Sequence, residues 1–130
     1  MKFLLSLLMT TLVVTMNGQT MSNKDIITEI NRELGGDSWS IKGNRIFVKT
    51  EEMGNGYWDI SNVTYHLEWE CWDKFEIDCN RMFVLYVVCD FGDWCISDIT
   101  DCYSQKVLTI GISPYKRRAN NVLELLKSIN

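Results

Sequence analysis

His66 is the chain's one histidine, and it lies in the run His66-Leu67-Glu68-Trp69-Glu70. An imidazole beside carboxylates is the raw material of general acid–base chemistry, and beside a thiol it would serve a cysteine nucleophile. Thiols are at hand, because Cys71, Cys79, Cys89, Cys95 and Cys102 fall close together. A small exported hydrolase using His66 with a carboxylate or a free cysteine is therefore one reading. The pattern around the histidine favours another. Val63, Tyr65, Leu67, Trp69 and Cys71 alternate with Thr64, His66, Glu68, Glu70 and Trp72, the period of a strand with one core face and one wet face. His66 then stands on a solvated surface, flanked by carboxylates and without the cleft that a reaction needs.

The cysteines read better as staples. In an oxidising compartment clustered cysteines favour disulfides, and an odd count leaves one over. Cys89 and Cys95 flank the short loop 90–94 and form the first-choice pair; Cys71 and Cys79 flank a second acidic connection and come next, leaving Cys102 free. Zinc fits poorly, with no C-x-x-C pair and a single histidine. Asp90, Asp93, Asp98 and Asp101 crowd one end of the expected sheet and supply hard oxygen atoms, yet their spacing matches no calcium loop. The triplet Asp90-Phe91-Gly92 resembles the magnesium-binding triplet of protein kinases in letters only, since no glycine-rich loop or catalytic loop accompanies it. Gly54-Asn55-Gly56 lacks the lysine–serine pair of a phosphate-binding loop and is expected to be a mobile tip. Asn62-Val63-Thr64 has the pattern of a glycosylation acceptor. Nothing here calls for a metal or a cofactor.

What remains is surface chemistry for binding. Trp58, Trp72 and Trp94 lie near expected loops or on the wet face, where amphipathic rings can meet a protein, peptide or glycan partner. Lys116-Arg117-Arg118 opens the last expected helix with three positive charges that oppose its dipole, so these residues are candidates for an anionic or acidic ligand. Nucleic acid is excluded as a partner: 17 acidic residues against 13 basic ones leave a net charge of -4, whereas phosphate backbones are bound by a basic face.

Compartment follows from the first residues. Lys2 leads an uncharged apolar run over residues 3–16 that ends near Gly18, the anatomy of a secretory signal peptide. The run is short of the roughly 20 residues that span a bilayer. Residues 1–18 are read as the leader, with cleavage near Gly18 and Gln19, and residues 19–130 as one globular domain of a secreted or periplasmic protein. No stable membrane insertion is expected after cleavage.

The elements that must position these groups begin with a helix at Asn23–Leu34, capped by Ser22 and stopped by Gly35-Gly36. A hairpin follows, with Trp39 and Ile41 on one arm, Gly43-Asn44 at the turn, and Ile46, Phe47 and Val48 on the other. Residues 57–72 give an alternating strand, and Arg81–Cys89 a strand apolar on both faces. Residues 81–99 together read as a buried hairpin carrying the sheet's central strand. Residues 106–112 form the last strand, and a closing helix begins with Ser113 as cap and Pro114 in its first turn. Tyr115, Ala119, Val122, Leu126 and Ile129, widened by Leu123 and Leu125, give that helix a stripe to dock on the sheet. The class is α+β: an antiparallel sheet or partly open barrel of six to seven strands, with an N-terminal and a C-terminal helix packed on it.

That order resembles pleckstrin-homology-like barrels, through the strand entry Asp59-Ile60-Ser61-Asn62-Val63, the Cys89 and Cys95 pair, and the last strand leading to Ala119, Val122, Leu123 and Leu126. It also looks like small exported bacterial proteins of unassigned function. The resemblance implies a strand-rich barrel closed by a helix. Phosphoinositide binding does not come with it, because no basic strand-loop matches. The expected function is a non-catalytic binding or interaction domain.

Overall fold

The computed structural model describes residues 15–16, 19–72, 79–100 and 102–130. The expected leader therefore lies outside the described residues except for Thr15–Met16 (β1), which pairs with Gln19–Thr20 (β2). The order continues α1 (Asn23–Leu34), β3 (Trp39–Lys42), β4 (Arg45–Lys49), β5 (Asn55–Asp59), β6 (Val63–Cys71), β7 (Arg81–Cys89), β8 (Ile96–Ser97), β9 (Ser104–Gln105), β10 (Val107–Ser113) and α2 (Lys116–Lys127).

Helix α1 starts and stops where its local chemistry dictates. Ser22 Oγ accepts the Asp25 amide at 3.1 Å, satisfying a donor that the helix itself leaves free. Gly35 takes the left-handed conformation with φ 73°, and the amides of Gly35 and Gly36 close back on Arg32 and Asn31, a Schellman ending. Asn31 then clips the helix to β3, its side chain donating to the Trp39 carbonyl at 2.8 Å and accepting the Trp39 amide at 3.0 Å. Ile26, Ile27 and Ile30 are buried beneath it.

The remaining strands form two antiparallel sheets, not one. Eight strands divide into a five-stranded sheet, order β3-β4-β5-β8-β9, and a three-stranded sheet, order β10-β7-β6. They are not closed into a barrel, so the single sheet or partly open barrel of six to seven strands is corrected. One cause lies at Asp59: its carboxylate accepts the Ser61 amide at 3.0 Å and the Ser61 hydroxyl at 2.7 Å. This turn breaks the alternating run at 57–72 into β5 and β6 and sends them to different sheets. A second correction concerns residues 81–99, which do not form a hairpin. Strand β7 is central, but its neighbours are β6 and β10, while β8 pairs with β5 and β9.

The Gly54-Asn55-Gly56 segment is likewise no free tip. Gly56 is buried at the start of β5, and a Cβ there would come within 2.9 Å of Leu108 Cδ2; at Gly54, φ 131°, it would come within 2.7 Å of the Thr109 carbonyl oxygen. Gly54 lets the chain entering β5 approach the backbone of β10, and Gly56 makes room for the Leu108 side chain of that strand. The Gly111 amide completes the junction by donating to the Met53 carbonyl at 2.9 Å.

Helix α2 begins at Lys116, later than expected. Ser113 is a buried residue closing β10, and its hydroxyl accepts the Tyr115 amide at 3.0 Å, so it binds the strand–helix junction and does not cap the helix. Ala119, Val122, Leu125 and Leu126 are buried, whereas Tyr115 stands before the first helical residue, is 65 % exposed and does not join the docking stripe. The apolar core joins α1 and α2 to both sheets through Ile30, Trp39, Ile46, Trp58, Leu85, Val87, Ile96 and Ile110.

Both expected disulfides are present, Cys71–Cys79 and Cys89–Cys95, with Cα separations of 5.5 and 5.7 Å. Cys102 is free and exposed. The two bonds are consistent with an oxidising, extracytoplasmic compartment. Among the described residues no helix is long and apolar enough to cross a membrane.

Candidate functional site

Strand β7 delivers a buried Cys89 to the end of the three-stranded sheet, and the loop that leaves it is fixed at several points. The Cys89 amide donates to the Lys106 carbonyl at 2.9 Å and the Asp90 amide to the Asn62 carbonyl at 2.8 Å. The chain then makes one 3-10 turn, Asp90–Gly92, closed by the Asp93 amide on the Asp90 carbonyl at 3.2 Å. The disulfide returns it to its starting point at Cys95.

Phe91, at the crest of this turn, has φ 59° and is the one non-glycine residue with positive φ among the described residues. For an L-residue that conformation costs about 1–2 kcal/mol, and for a bulky one it is a true outlier. Its side chain is 99 % exposed, so no core contact offsets the strain. Trp94, three residues on, is 65 % exposed, and Lys106 Nζ lies 5.0 Å from its ring centroid. Tyr103 and Val107, on either side of Lys106, are exposed as well. In the adjacent turn Asp98 accepts the Thr100 hydroxyl and the Tyr103 amide, and these bonds, the hydroxyl's first, hold its carboxyl below the usual range.

The three tryptophans singled out from sequence part company here. Trp58 is 1 % exposed: its indole donates to Tyr65 Oη at 2.9 Å and packs edge-on against Trp39, so it is core and no ligand platform. Trp72 is half-buried, its ring 3.4 Å from where a Cβ on Gly111 would sit. Trp94 alone of the three is exposed. Lys116, Arg117 and Arg118 are exposed at the start of α2, beyond Ser113, while Val107 at the loop end begins the same β10. The triplet therefore stands at the opposite end of that strand from the loop. Arg118 faces Glu33 of α1 at 3.8 Å and lies over the Tyr115 ring.

His66 is placed as its alternation predicts. Its ring stacks on Tyr86, with centroids 5.0 Å apart and planes 8° from parallel, and Nε2 lies 3.8 Å from Glu68, both side chains half exposed. The Tyr86 hydroxyl donates to both oxygens of Glu70 at 2.7 and 2.9 Å. That hydrogen bond to a carboxylate, more than burial, pushes the phenol up to about 12. Cys102 sits in the β8–β9 turn of the other sheet, its thiol against the Thr100 carbonyl. Among the described residues no three His, Cys, Asp or Glu side chains are gathered as metal ligands. Asp101, the fourth of the acidic cluster, lies outside them.

An open cavity of about 320 Å3 lies beside β6, and Ile60, Val63, Tyr65, Leu126 and Ile129 line it together with Thr64 and Lys127. No tryptophan lines it.

Phe91, Trp69 and Tyr103 are surface aromatics that the sequence pattern does not single out. Phe91 was hidden inside a kinase-like triplet, although a phenylalanine beside glycine in a short cysteine-closed loop has little core to reach. Trp69 is 47 % exposed despite its place on the core-facing side of β6. Comparison with protein-family models, with curated proteins and with solved structures finds no match to this chain.

Proposed function

We propose that this chain is a secreted or periplasmic, non-catalytic binding domain that engages a protein or peptide through Phe91 and Trp94. The observation that carries the reading is Phe91 itself, a fully exposed aromatic held in a strained conformation by a disulfide-closed loop. Strain without a compensating contact in the free molecule marks functional segments, and rigid aromatics displayed at low entropic cost are typical binding anchors. A fully exposed ring at the crest of a turn suits a partner with a pocket better than a flat glycan. Acidic Asp90 and Asp93 beside the rings disfavour an anionic lipid surface.

The alternative, a hydrolase centred on His66, lacks support from the surroundings of that residue: a half-exposed imidazole on an open sheet face, with a carboxylate at 3.8 Å. A displayed random-peptide library selected against the disulfide-bonded protein tests the proposal. Selected peptides should lose binding to Phe91→Ala and to Trp94→Ala while keeping it to Arg117→Ala. Peptides indifferent to both aromatic substitutions would overturn it.

A further inference from the structure

Strand β6 is the outer strand of its sheet, and among the described residues it pairs only with β7. Its even-numbered positions face that partner: at one end the Asn62 carbonyl accepts the Asp90 amide, and at the other the Trp72 amide donates to the Asn80 carbonyl at 3.2 Å, both continuing the ladder Val63↔Cys89 to Cys71↔Arg81. Antiparallel ladders alternate such pairs with pairs whose backbone groups point away. The N–H and C=O groups of Val63, Tyr65, Leu67, Trp69 and Cys71 therefore line the open edge, a template for another strand.

We infer that this edge pairs antiparallel with β6 of a second copy, about a two-fold axis at Leu67. Three features of the strand select that occupant and that register. Leu67 is the midpoint of Val63–Cys71, so this axis pairs the strand over its full length. It sets each His66 opposite Glu68 of the other copy and each Glu70 opposite Thr64, whereas an axis at Glu68 would oppose that carboxylate with its own copy, which is destabilising. It also sets Trp69 opposite Tyr65 of the other copy. Tyr65 lines the cavity beside Leu126 and Ile129, and Trp69 is a half-exposed indole with Phe83 against it, at 4.7 Å between centroids. Each copy thus offers an exposed aromatic and an apolar recess at mutually opposed positions, the self-complementarity of an isologous interface. The product is a continuous six-stranded sheet with both α2 helices on one face.

Sedimentation velocity over a micromolar-to-millimolar series, on the disulfide-bonded protein, tests the inference. His66 and Glu68 are solvent-facing, so His66→Glu and Glu68→Lys should leave the circular dichroism unchanged. Each single substitution should weaken self-association by about tenfold, since two attractive cross-strand pairs become repulsive or neutral. The double variant His66→Glu/Glu68→Lys should recover it, and Trp69→Ala should weaken it, while Phe91→Ala should leave it untouched. A wild-type protein that stays monomeric at millimolar concentration overturns the inference. So does a double variant no tighter than the singles, and so does a dimer that dissolves on Phe91→Ala.

Discussion

The indole N–H of Trp58 donates to the phenol oxygen of Tyr65 at 2.9 Å, tying β5 of one sheet to β6 of the other across the core. Trp58 is part of the buried apolar core and Tyr65 packs against it. Replacing Tyr65 by Phe keeps the ring and strands a buried donor, which costs about 1–3 kcal/mol. Denaturant unfolding of Tyr65→Phe should show that loss with little change in the slope of the transition.

The same tyrosine gives the fold an alkaline limit. Burial pushes the Tyr65 phenol up to about 12, and Glu70 does the same to Tyr86, from an ordinary value of 10.0. A raised folded-state value means that the associated stability is fully present below pH 10 and is lost as the pH climbs from 10 towards 12, because the unfolded chain releases these protons first. Absorbance titration of the phenols should show two that ionise late. Tyr65→Phe should flatten the alkaline part of the stability profile.

At Phe91 stability and binding should move in opposite directions. Glycine adopts φ 59° without steric penalty, so Phe91→Gly should raise the unfolding free energy by about 1 kcal/mol once glycine's own entropy cost is counted. It should also abolish recognition of selected peptides. Thermal melts and peptide titrations on the one variant check both halves.

Gly54→Ala should be among the more damaging small substitutions. The added methyl group meets the Thr109 carbonyl at 2.7 Å in a conformation with φ 131°, and overpacking of this kind costs about 1–3 kcal/mol. Gly36→Ala, where a Cβ meets nothing within 4 Å, is the matched control. A Gly54→Ala melt equal to that of Gly36→Ala would remove the claim that the sheets meet through that glycine.

Features decided within a few residues were legible before the structure. Ser22 and Gly35 bound α1 because capping is local chemistry, and the Cys71–Cys79 and Cys89–Cys95 pairings follow from short connections between strands. The division into two sheets was not legible, because the turn that causes it has neither glycine nor proline; Asp59 builds it with side-chain hydrogen bonds to Ser61. Gly54 and Gly56 read as a mobile tip because glycine marks freedom and close approach alike, and only the position of β10 tells them apart. Trp69 read as core from its place in the alternation. Which part of a sheet face is covered is a tertiary fact, and Trp69 is left 47 % exposed.

The central claim is that the Cys89–Cys95 bond holds Phe91 and Trp94 ready for a partner. Isothermal titration of one selected peptide into wild-type protein and into Cys95→Ala, with Cys102→Ala in both to exclude thiol exchange, tests it directly. Losing the bond frees the loop while leaving both rings in the chain, so the account predicts affinity weakened by about tenfold or more, with a larger entropic penalty on binding. Equal affinities and equal entropies in the two proteins would contradict it.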